Sequence, residues 1–262
     1  MSSHVARALS LARVVALALA SCAYCTCAAQ AAQSVKLRVA FDPDVAGQRT
    51  TIELKLRIDG PGDTPPSPMT SLDLRLPPNM GIATTTLGQS NCEPAQLIRT
   101  GLSGCSANAR IGLGSATAVV PVGEQSVQEK VSLNALMGPP VEDRLEVLFY
   151  VEGLSPVITR LVLPSVVQSD SPPFGEQLDT SIPLVQAWPE GPNLALETFD
   201  STIGPLGLTY HREVSGRSVP YHPQGVRVPE TCPPGGYPFA AVVHFEDGSQ
   251  TTASYRVPCV KR

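Results

Sequence analysis

The chain has 262 residues, a formal net charge of −4, 42% hydrophobic residues and 16% charged residues. Its 26 prolines outnumber its 21 glycines and its 19 lysines plus arginines, which argues against a helix-dominated fold, because proline ends strands and cannot sit inside helices. No basic cluster stands out, which argues against nucleic acid and anionic membrane surfaces as partners, since both demand local Lys/Arg density.

The N-terminus carries Arg7 and Arg13, an unbroken apolar run from Val14 to Ala20, and Ala29-Gln30-Ala31 as an A-x-A cleavage site. This order predicts a secretory signal peptide over 1–31. One domain over 32–262 is expected to follow, with 17 basic against 23 acidic residues. The apolar run is far shorter than the roughly 20 residues of a spanning helix. Leu19-Ala20-Ser21-Cys22 resembles a lipobox, in which Cys22 is lipidated and becomes the new N-terminus. Cleavage near Ala31 is favoured over lipidation, because it leaves an even set of four cysteines for an oxidising compartment. The expected location is therefore extracellular, with a lipid-anchored surface protein as the alternative. Membrane contact is expected only through that lipid.

Strict alternation then recurs along the chain. VKLRVAF aligns Val35, Leu37, Val39 and Phe41; TIELKLRI aligns Ile52, Leu54, Leu56 and Ile58. LDLRL aligns Leu72, Leu74 and Leu76, and RLEVLFYVEG aligns Leu145, Val147, Phe149 and Val151. Period two means strands with one buried face, the antiparallel habit. Further strands are predicted at 110–120, 127–137, 157–163, 194–199, 239–246 and 250–257. NCEPAQLIRTGLSGC predicts one short helix near 92–103, with Asn91 as N-cap, Pro94 in the first turn and Gly101 or Gly104 as stop. SDSPPFGEQ (169–177) is the best linker candidate, and REVSGRSVPY has loop composition. Asp247-Gly248 between two alternating runs predicts a hairpin in which the numbers of facing residues sum to 495. The fold class expected is all-β: an antiparallel β-sandwich with Greek-key-like connections.

Four cysteines follow the leader: Cys92, Cys105, Cys232 and Cys259. Of the three possible pairings, Cys92–Cys105 and Cys232–Cys259 are favoured because each pair is close in sequence. No C-x-x-C and no histidine at ligand spacing accompanies them, so no metal site is expected. No other cofactor is expected either: there is no P-loop, and after Gly112 and Gly114 comes a strand where a dinucleotide site needs a helix. A G-x-S-x-G nucleophile elbow is absent, so no catalytic residues are assigned.

Three blocks resemble a known family. GCSANARIGLGSATA (104–118) and PETCPPGGYPFAAVVHFEDGSQTTASYRVPC (229–259), together with LRLPPNMGI (74–82), are similar to secreted proteins common in high-GC soil actinobacteria. Ser106 stands where that pattern has proline. The resemblance implies export and an all-β fold and lends no functional residues.

Trp188, Tyr210, Tyr221 and Tyr237, all in Pro/Gly-rich surroundings, form the candidate binding surface. Trp188 reads either as a sugar-stacking platform or as a plug for the end of the core. The functional expectation is a non-catalytic protein that binds or coats, its partner an extracellular glycan or envelope component. The alternative is an extracellular hydrolase of envelope or polysaccharide using carboxylates scattered in sequence.

Overall fold

The computed structural model describes residues 33–62, 64–81, 86–122 and 125–259. The expected leader, its cleavage site and Cys22 lie outside them. Fourteen strands form: β1 (Ser34–Asp42), β2 (Arg49–Asp59), β3 (Met69–Leu76), β4 (Arg110–Val122), β5 (Gln125–Met137), β6 (Glu146–Gly153) and β7 (Thr159–Ser169) precede β8 (Glu176–Ser181), β9 (Ala195–Ile203), β10 (Tyr210–Val214), β11 (Arg217–Tyr221), β12 (Val226–Arg227), β13 (Tyr237–Phe245) and β14 (Gln250–Val257). Among the described residues one α-helix, α1 (Pro94–Thr100), interrupts them, followed by two short 3-10 helices (Gly101–Gly104 and Ala107–Ala109).

The alternation has the expected result. In β1 and β2, Leu37, Val39, Phe41, Ile52, Leu54, Leu56 and Ile58 are buried, while Lys36, Arg38, Lys55 and Arg57 face out. The ladders are antiparallel throughout. Hydrogen bonding runs through a single path, β1-β2-β9-β4-β5-β6-β7-β8-β3-β13-β14, with β12 attached to β2. Its end strands β1 and β14 lie alongside each other without a ladder. The all-β antiparallel expectation stands, but the bonding describes a nearly closed, barrel-like sheet and does not single out a sandwich of two sheets. Strands β4 to β8 form a meander, after which β9 returns to lie beside β4, a return of the Greek-key kind.

The open seam has a polar clasp at one end. The buried side chain of Gln33 donates to Asp247 Oδ2 (3.1 Å) and Ser249 Oγ (3.0 Å) and accepts from the Ser67 amide (2.7 Å). Farther along, Phe41 of β1 packs on Tyr237 and Phe239 of β13, with ring centroids 5.6 and 5.9 Å apart.

The helix ends at Gly101 as expected and starts at Pro94, but its cap position is Glu93 rather than Asn91, with no side-chain cap. It lies against the outer face of the meander. There Leu97, Ala109, Leu136, Leu148, Tyr150 and Cys92 form a second small core. This is why β6 is apolar on both faces.

Three local expectations fail. The segment 169–177 is no linker but the tight β7–β8 connection, closed by Asp170 N to Gly175 O and Phe174 N to Ser171 O. REVSGRSVPY is a hairpin, β10–β11, whose turn residues Ser215 and Gly216 both have positive φ (52° and 74°), as a two-residue primed turn requires. The β13–β14 register sums to 494, with His244 opposite Gln250, one less than expected. The loop has three residues rather than two: Gly248 N donates to Phe245 O, Phe245 N to Ser249 O, and Gly248 sits at φ 81°. That is a turn followed by a glycine bulge.

Both favoured disulfides form, Cys92–Cys105 and Cys232–Cys259. Two bridges fit an oxidising, extracellular environment. Among the described residues no helix is long and apolar enough to cross a membrane. The Cys232–Cys259 bridge clamps the base of β13–β14, one edge of the seam. Replacing both cysteines by serine is expected to lower the unfolding free energy by roughly 3 kcal/mol, read from urea denaturation. An unchanged midpoint would contradict the clamp.

Candidate functional site: an apolar lumen

Ladder hydrogen bonds hold neighbouring strands about 4.8 Å apart, so strand number sets the width of a closed sheet. About eight strands give an interior that side chains just fill; wider barrels enclose cavities. Eleven strands lie on this path. The consequence is visible in the inward faces. Leu72, Leu74, Leu76, Phe149, Val151, Leu161, Leu196 and Phe199 all point into the barrel, yet each is only half-buried.

Two adjoining chambers result, of about 160 and 240 Å³. They share Leu54, Leu74, Phe149, Leu178 and Phe199 as a waist. The upper chamber lies toward the β4–β5, β6–β7 and β13–β14 turns and is lined by Met69, Ala116, Ala118, Val131 and Leu133 among others. The lower one reaches Met80, Ile111, Val147, Val226 and Phe239. Polar side chains in the two linings are Thr159, Thr180, Glu176 and Ser201. Thr180 is satisfied by Ser165 across the β7–β8 pair at 2.7 Å. Burial pushes the Glu176 carboxyl up from its ordinary value.

The two ends differ. Below, Met80, Val226, Leu208 and Tyr210 are buried and close the barrel. Above, the β8–β9 connection crosses the mouth as a strap. It is pinned by Leu194 N to Val185 O (2.8 Å) and by Asn193 Nδ2 to Glu246 Oε1 (2.8 Å). Pro183, Leu184, Val185 and Leu194 of the strap line the upper chamber from outside, and Leu184 is 43% exposed. Among the described residues, exposed apolar surface therefore borders the lumen at the upper end, which we take as its mouth.

Glu129 belongs to this inward face. It sits opposite Ala118 of β4, two residues before the lining Val131, and is fully buried. Neither carboxylate oxygen has a hydrogen bond of ordinary geometry among the described residues. Its carboxyl lies against Gly153, whose missing side chain leaves the room. Burial raises its pKa, and the Val157 amide only partly offsets this. Composition could not reveal it, since a glutamate in an alternating strand reads as solvated.

The four aromatic candidates are not brought together. Tyr210 and Tyr237 are core residues, 0% and 1% exposed, because they face inward on strands that close the barrel. Their hydroxyls donate to Arg110 O (2.5 Å) and Pro229 O (3.0 Å). Tyr221 is half-buried edge-on against Tyr210, with centroids 5.8 Å apart. Trp188 is alone at the opposite end, 47% exposed on the tip of the strap. His244 faces out beside Asp73 (3.7 Å), as a solvent-side strand residue should. Asp73 and Asp179 form a carboxylate pair, directly opposite on β3 and β8. The Asp179 pKa is raised by burial first and by Asp73 next. This pair lies on the outer face of the sheet, away from both chambers.

Searches of family models, curated proteins and solved structures found nothing that matches this chain.

The raised Glu129 pKa sets a pH dependence. A carboxyl whose folded value exceeds its unfolded value of 4.5 favours folding only while protonated, so stability is lost as pH rises from there through the folded value. Glu129→Gln is therefore expected to leave the melting temperature unchanged at pH 4 and to raise it by about 2–4 °C at pH 8. A lower melting temperature at pH 8 would mean that the carboxylate has a partner.

Proposed function

We propose that this is an exported, non-catalytic binding protein that holds an apolar small molecule or acyl chain in its lumen. The observation that carries the reading is the lumen itself: a two-chamber interior lined by Leu, Val, Ala and Phe, with few polar groups. Apolar cavities of this size stay free of water and accept apolar ligands. Burial of a chain there is worth about 0.8 kcal/mol per CH₂, so about ten methylenes reach the micromolar range before the costs of association. The leader sequence, the two disulfides and the resemblance to secreted actinobacterial proteins support export. Release near Ala31 and anchoring at Cys22 are both compatible with it.

The charged outer faces of β1 and β2 and the apolar interior are the reverse of a membrane-spanning barrel, which is apolar outside. A glycan ligand finds less support, because two of the four candidate rings are in the core. The hydrolase alternative finds less support, because the Asp73–Asp179 pair lines neither chamber.

Titration with N-phenyl-1-naphthylamine tests the reading. The protein is expected to enhance the probe's fluorescence with micromolar affinity. Ala116→Phe, which adds a ring to the upper chamber, is expected to weaken binding at least about tenfold while stability stays within about 1 kcal/mol. The same change in a filled core would cost about 1–3 kcal/mol. No enhancement by the wild-type protein, together with no lipid retained in native mass spectrometry, would refute the proposal.

A further inference from the structure

The mouth of the lumen carries an unusual rim. Nine large apolar side chains are well exposed among the described residues; the ladder registers place four of them at the upper end, where the strap adds two more. Val122 and Val127 stand at the tip of β4–β5, Leu154 and Ile158 on the β6–β7 turn, and Leu184 and Trp188 on the strap. Leu154 is 73% exposed and Ile158 86%. Apolar groups gathered on one surface, and not scattered singly, mark an interaction site. Gly191 lies against the Trp188 ring, so the turn backs the indole and leaves its remaining surface outward. An amphipathic ring held so suits the boundary between lipid and water.

We infer that this rim docks on the surface of a neutral lipid bilayer and that the lumen is loaded there. Two further observations select that occupant. The charge balance offers no basic cluster to hold anionic headgroups, so apolar insertion must supply the binding. The described chain also begins at the rim: Gln33 is fixed to Asp247, Ser249 and Ser67. If Cys22 is the lipidated N-terminus, the tether from Cys22 to Gln33 therefore enters the described fold at this end. The loading step rests on the lumen reading; the surface contact does not.

Trp188 is the single tryptophan of the chain, so its emission reports the rim alone. With phosphatidylcholine vesicles the purified protein is expected to co-sediment, and its emission to shift to shorter wavelength and be quenched by brominated acyl chains. The double variant Leu154→Asp/Ile158→Asp is expected to lose about tenfold or more in partitioning, while keeping its melting temperature and its N-phenyl-1-naphthylamine binding. Four results would overturn the inference: no association with vesicles, association with unshifted emission, association only with phosphatidylglycerol vesicles, or a shift without vesicles that grows with protein concentration. The last would make the rim a contact between copies of this chain. Because the naphthylamine titration is read without vesicles, failure of the lumen and failure of the rim are separable.

Discussion

The hydrogen-bonded circumference is the constraint on which the rest depends. Each ladder fixes its two strands about 4.8 Å apart, and eleven strands in one path give a perimeter that their inward side chains do not fill. Leucines and phenylalanines at the waist then keep part of their surface open, although they point away from solvent. The β1, β13 and β14 side is filled by Phe41, Tyr237 and Phe239. The unfilled space lies toward β3 to β9, which places the chambers and decides their chemistry.

Closure comes from outside the ladders. Where β1 meets β14 no ladder forms, and the buried Gln33 amide bridges the gap through groups on two other segments, the β13–β14 turn and the chain before β3. Both disulfides likewise fasten chain that the sheet does not hold. Cys92–Cys105 closes the helical segment over the meander, and Cys232–Cys259 ties the base of the last hairpin. The ends are treated differently. Buried residues fill the lower one, whereas a strap with half-exposed apolar residues crosses the upper one. An asymmetry of this kind gives the lumen a direction.

Period-two alternation made β1, β2 and β3 legible, because inward and outward residues differ in polarity there; β6 was legible as a strand although both of its faces are apolar. The Asp247-Gly248 turn was legible as a hairpin, but not its register: a three-residue loop with Gly248 at positive φ uses the same dipeptide as a two-residue one. Strands β10 and β11 escaped notice because their faces are largely exposed and carry no apolar stripe. The lumen could not be read at all. Leu74 or Phe149 looks the same in sequence whether it meets a neighbour or a void; strand number and order, which are long-range properties, decide which. Tyr210 and Tyr237 misled for the converse reason, since loop-like surroundings in sequence are packed ends of the barrel in space.

A crystal structure under xenon pressure tests the central claim most directly, since xenon occupies dry apolar cavities whatever the natural ligand is. Xenon is expected on both sides of the Phe149–Phe199 waist, one site toward Ala116 and Val131 and one toward Val147 and Val167, with no shift in the strands. A xenon-free interior, in which Leu74, Phe149 and Phe199 close on one another and the sheet flattens into two packed layers, would contradict the account.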